Sequence, residues 1–117
     1  MARILLLFSH ATHDGWRARE GLDAGLAALA FDHELSLLFV GAGVCLLRTT
    51  PQAAPGLRDW GASLGALGAH GAERVGAAAD ALAAHGLAGA RLRLDAIELD
   101  AAQRSDWIRS ADVVLPF

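Results

Sequence analysis

Apolar positions follow two rhythms along this chain. Three short runs, Ile4–Phe8, Leu35–Val40 and Val113–Leu115, are apolar with scarcely an interruption. A strand wetted on one face alternates polar and apolar side chains. Near-unbroken runs therefore predict strands covered on both faces, as in a parallel sheet under helices. Between the runs the spacing changes. Leu22, Leu26 and Leu29 recur at i, i+4 and i+7, with Arg17, Arg19, Glu20 and Asp23 elsewhere. That pattern predicts an amphipathic helix over Trp16–Ala30, with Asp14 as its N-cap. Leu57, Trp60, Leu64 and Leu67 line one side of a second predicted helix, Leu57–Leu67, entered from a loop marked by Pro51 and Pro55.

The remaining elements carry weaker signals. A third strand is expected at Glu73–Gly76, then an alanine-rich helix, Ala77–His85, stopped by Gly86 in the C′ position. Arg91-Leu92-Arg93-Leu94 alternates strictly, which predicts a fourth strand with one wet face. Asp100 and Gln103 have capping-box spacing and open a last helix carrying Trp107 and Ile108. Pro116 is tolerated at the end of a fifth strand. The order βαβαβαβαβ with short loops predicts the α/β class: a single-layer, mostly parallel five-stranded sheet with helices on both faces. The 117 residues are expected to form one domain, 1–117.

Composition narrows the chemistry. All 10 basic side chains other than histidine are Arg, with no Lys. That excludes a P-loop lysine, a Schiff base and lysine-bound pyridoxal phosphate. One Cys excludes an internal disulfide and a Cys-rich zinc site. A formal charge of −3 without a basic block predicts no tRNA binding by the chain alone. The longest apolar stretch, Leu37–Leu47, has 11 residues and two glycines, short of the ~20 of a spanning helix. The apolar run after Arg3 stops at Ser9, too short for a signal peptide's core, so the cytoplasm is the expected compartment.

Each candidate motif has a plainer reading beside it. Gly61-Ala62-Ser63-Leu64-Gly65 matches the serine-hydrolase pattern G-x-S-x-G, and Asp80 and His85 follow in the usual order. An elbow needs a strand before the serine, whereas Ser63 falls inside a helical pattern. Gly61, Gly65 and Gly68 form a stripe that would let another backbone come close, as at a subunit contact. His10, His13 and Asp14 follow the first strand and have the side chains of a metal site, but no further ligand stands out. They are expected to be loop residues and a helix cap, with no metal and no cofactor bound. Gly41-Ala42-Gly43 opens like a dinucleotide fingerprint, but position 46 is Leu46. Cys45, flanked by Val44 and Leu46, is expected to be a buried, inert thiol; a lowered pKa would instead make it a nucleophile or sulfur carrier.

Taken in order, several segments resemble the TusC/DsrF branch of the DsrE-like sulfur-relay proteins. They are Arg3–Ser9, Arg19-Glu20-Gly21-Leu22-Asp23-Ala24, Gly43-Val44 with Leu46-Leu47, Arg58-Asp59-Trp60, Leu67-Gly68 and Ala111–Phe117. The resemblance implies a DsrE-like fold and a subunit of a cytoplasmic complex with two sister subunits of similar fold. Such complexes pass persulfide sulfur between cysteines, in one branch toward 2-thiouridine at the tRNA wobble position, in the other toward sulfur oxidation. In the active sister, the carrier cysteine stands eight residues before the glycine that ends the helix after strand three. Counted back from Gly86, that position is Ala78. The resemblance therefore implies a non-catalytic structural subunit, most naturally of the tRNA-thiolation branch. The alternatives are a sulfur carrier using Cys45, a subunit of the oxidation branch, and a small serine hydrolase built on Ser63.

Overall fold

A computed structural model of the chain describes residues 1–11, 15–49 and 60–117. The strands are β1 (Arg3–Phe8), β2 (Glu34–Phe39), β3 (Arg74–Ala78), β4 (Ile97–Leu99) and β5 (Val113–Pro116). The helices are α1 (Gly15–Ala30), α2 (Trp60–His70), α3 (Ala79–Ala84) and α4 (Ala101–Ser110), with a 3₁₀ helix at Gly41–Leu47. The sheet order is β4-β3-β2-β1-β5, and every pairing is parallel. The expected five-stranded α/β architecture is therefore the observed one.

The near-continuous apolar runs of β1 and β2 are explained by a core on each face. The run at Val113–Leu115 instead forms an edge strand with Val113 41% exposed, which corrects its reading as a strand covered on both faces. Leu6, Phe8, Leu35, Leu37, Phe39, Val75 and Ala77 meet side chains of α1, α2, α3 and the 3₁₀ helix on one face. Leu5, Leu38 and Leu99 meet Trp107 of α4 on the other. The chain steps from β1 to β4 in one direction, then α4 returns it across the opposite face to β5 beside β1. A right-handed crossover rule demands this change of face when the direction of travel reverses. Asp100 and Gln103 form the expected capping box, each bonding the other's backbone N–H at 2.8 Å. Gly86 takes φ +70, a conformation that glycine adopts without a Cβ penalty.

Three boundaries move, two of them for a tertiary reason. The fourth strand is Ile97–Leu99, not Arg91–Leu94. The alternating segment makes only an isolated antiparallel bridge, Leu92 with Arg48, and lies as a strap over α2. Its Leu92 and Leu94 turn into the main core. Strand β3 runs on through Ala78, because Ala77 pairs with both Phe39 and Glu98, and Ala78 pairs with Leu99. The helix expected from Ala77 thus begins only at Ala79. Helix α2 continues to His70, and residues 57–59 of its expected start lie outside the described residues, as do His13 and the Asp14 cap.

The glycine stripe does not face outward where the structure describes its surroundings. A Cβ on Gly68 would stand 2.7 Å from Leu94 Cδ1 and 3.3 Å from Leu37 and Val75. One on Gly65 would meet Arg93 and Leu94 at 3.7 and 3.9 Å. Gly68 thus permits a close approach by the chain's own strap, whereas a Cβ on Gly65 would make only ordinary contact with it. No helix among the described residues is long and apolar enough to cross a membrane.

Candidate functional site

Parallel strands bring their carboxyl ends to one edge, where α/β folds gather chemistry. Here β2 delivers the 3₁₀ helix at that edge, and β3 delivers α3 beside it. Cys45 sits on the 3₁₀ helix, and His85 caps the C-terminus of α3. Their side chains meet: Cys45 Sγ lies 3.5 Å from His85 Nδ1, across 40 residues of sequence. Arg48 fixes the pair from below. Its backbone N–H donates to Cys45 O at 3.2 Å, and its guanidinium donates to His85 O at 3.1 Å. One arginine thus ties the end of the 3₁₀ helix to the end of α3. The Arg48 Nε is buried without a hydrogen-bond partner.

The apolar neighbours of Cys45 led to the expectation of a buried thiol, and this is corrected. Val44 and Leu46 do point into the core, but a 3₁₀ turn carries the residue between them to the other side, and Cys45 is half-buried. A thiol beside an imidazole has the parts of a nucleophile and its base. Among the described residues no hydrogen bond orients the second imidazole nitrogen, and the sequence supplies no second cysteine to resolve a disulfide.

Other sequence candidates fall elsewhere. Ser63 stands within α2, not on a strand-to-helix turn. Asp80 is exposed, accepts from the Ala81 N–H at 2.8 Å and pairs with Arg104 at 3.4 Å. His10 Nδ1 lies 3.2 Å from Ser9 Oγ and 3.1 Å from Phe117 O, and no metal-binding group of three side chains occurs among the described residues. The Gly41-Ala42-Gly43 segment opens the 3₁₀ helix. A Cβ on Gly43 would stand 2.1 Å from Phe8 O, so this glycine answers a backbone contact. Ala78, at the position where the resemblance would put a carrier thiol, is the last residue of β3 and the N-cap of α3. The residue is 2% exposed.

Sequence reasoning treated Cys45 and His85 in separate hypotheses and passed over Arg48. Nothing in their spacing joins them. The only usable signal was topological: both follow strands that a parallel sheet sets side by side.

A model of the DsrE/DsrF-like family matches residues 2–117. The chain belongs to the DsrE/DsrF-like family. Within it, the chain is 32% identical over 118 residues to a protein TusC homolog of Vibrio parahaemolyticus, covering all of both chains. A Klebsiella pneumoniae protein TusC is 45% identical over 56 residues, which is 48% of this chain and 45% of that protein. The crystal structure of the ychN protein from E. coli superposes over the whole of both chains, with a TM-score of 0.82 at 18% identity. That likeness is one of fold, and it gives this DsrE/DsrF-like chain the same sheet and helix arrangement.

Proposed function

We propose that this chain is a non-catalytic structural subunit of a cytoplasmic persulfide relay, working with two sister DsrE-like subunits toward tRNA 2-thiouridine. The broader statement, a sulfur-relay subunit, is supported by family membership and by full-length similarity to TusC homologues. Ala78 carries the narrower one: a buried methyl group, with no nucleophile, stands at the end of β3. The tRNA branch is favoured over the oxidation branch by the TusC relatives.

One observation favours a second reading, in which Cys45 is itself a carrier: the Cys45–His85 contact at 3.5 Å. In that step the Cys45 thiolate attacks the outer sulfur of a donor persulfide. The donor S–S bond breaks, the donor leaves as a thiolate, and Cys45 holds the new S–S bond. Cys45→Ser separates the two readings. Serine keeps a hydrogen-bonding group toward His85, so the change should cost about 1 kcal/mol. Persulfide flow through the assembled complex, followed with labelled sulfur, should be unchanged. Near-total loss of transfer in an intact complex would instead make Cys45 the carrier.

A further inference from the structure

At the opposite, amino edge of the sheet, a recess of about 250 Å3 lies between the starts of β1, β2 and β3 and the last turn of α4. Arg74 is its centre. The guanidinium carbon stands 4.0 Å from the centroid of the Trp107 ring. Nε donates to Ser36 Oγ at 3.3 Å, and a terminal nitrogen donates to Ser110 Oγ at 3.2 Å. The Ser110 hydroxyl in turn donates to Trp107 O at 3.0 Å. The other lining arginine, Arg3, is paired with Glu34 at 3.1 Å. Among the described residues no carboxylate pairs with Arg74.

A half-buried cation is thus left with neutral partners. The C-terminal end of α4, reached through Ser110, offsets at most about half a unit charge. Guanidinium has five N–H donors, and two are used here. Ser36 accepts from Arg74, so its own proton remains free for another acceptor. Stacking on the indole fixes the guanidinium plane, and a fixed fork of N–H groups matches the two oxygens of a carboxylate. Glu34 and Glu73 also line the recess and oppose a doubly charged anion. The volume is roughly that of eight liquid waters, below the ~300 Å3 at which drug-sized pockets begin. Leu5 and Trp107, packed together on the α4 face, give it an apolar floor.

We propose that this recess binds a free, small monocarboxylate with a short apolar tail, held by Arg74 and Ser36 over Trp107. The site stands apart from Cys45 and does not depend on the sulfur-relay reading. The test is a titration of the full chain with butyrate, following the assigned Trp107 indole N–H by NMR. Sodium chloride at matched ionic strength and inorganic phosphate are the comparisons. Butyrate should give a saturable shift, with phosphate at least tenfold weaker. Arg74→Gln should weaken butyrate about tenfold or more. Ser36→Ala, which leaves the stack in place, should weaken it several-fold and serves if Arg74→Gln does not fold. Equal shifts from chloride, or unchanged butyrate affinity in the folded variants, would overturn the site. Tighter binding of phosphate would overturn its assignment to a monocarboxylate.

Discussion

Gly43→Ala tests the contact that seats the 3₁₀ helix, and with it Cys45, against the sheet. The added Cβ would stand 2.1 Å from Phe8 O, 2.6 Å from Phe8 C and 3.0 Å from Ser9 N. All three are backbone atoms, so no side chain can swing away. The end of β1 is itself held: Val40 N–H donates to Phe8 O at 2.9 Å, and Ser9 N–H donates to Phe117 O at 3.1 Å. Relief requires the two backbones to part by about 1 Å, since comfortable C···O contacts begin near ~3.3 Å. Overpacking of this kind costs about 1–3 kcal/mol. Loss of the Val40–Phe8 bond adds ~1 kcal/mol. The expected loss is roughly 3 kcal/mol, a large share of the ~5–15 kcal/mol that holds a domain together. Gly41→Ala is the internal control. Gly41 has φ +50 but meets nothing nearer than 3.9 Å, so only a left-handed backbone penalty of ~1–2 kcal/mol applies. Urea unfolding of the two variants should show lower midpoints at constant slope, with Gly43→Ala clearly the worse. A Gly43→Ala loss below ~1 kcal/mol, or one smaller than that of Gly41→Ala, would refute the argument from backbone contact.

Asp100→Ala removes the capping-box acceptor of α4 and should cost about 1 kcal/mol, read as a fall of several degrees in Tm. An unchanged Tm would mean that α4 is held by Trp107 packing alone. The isolated chain should show no saturable tRNA binding, because phosphate contacts need unopposed cations and the formal charge is −3. Fluorescence anisotropy with labelled tRNA checks this, and a micromolar, steeply salt-dependent affinity would contradict it.

The sequence by itself determined the parts that rest on local physics and period. Apolar runs in β1 and β2 announced strands buried on both faces, whereas the run in β5 marked an edge strand that stays half-buried or exposed. The i, i+4, i+7 leucines marked α1, and Asp100 with Gln103 marked the start of α4. Such signals survive because burial of a whole face and capping of a free N–H act within a few residues. The tertiary structure decided what depends on neighbours far along the chain. Arg91–Leu94 alternates like a strand, yet Gly65 and Gly68 offer it a seat on α2, so it became a strap and β4 formed at Ile97. Ladder pairing with β2 and β4 drew Ala77 and Ala78 out of an alanine-rich helix. Cys45 met His85, and Arg74 met Trp107, Ser36 and Ser110, only because parallel strands align their ends. Side chains carried to one edge by separate strands share no spacing in the sequence. The half-buried thiol and the half-buried cation therefore became visible only in the folded chain.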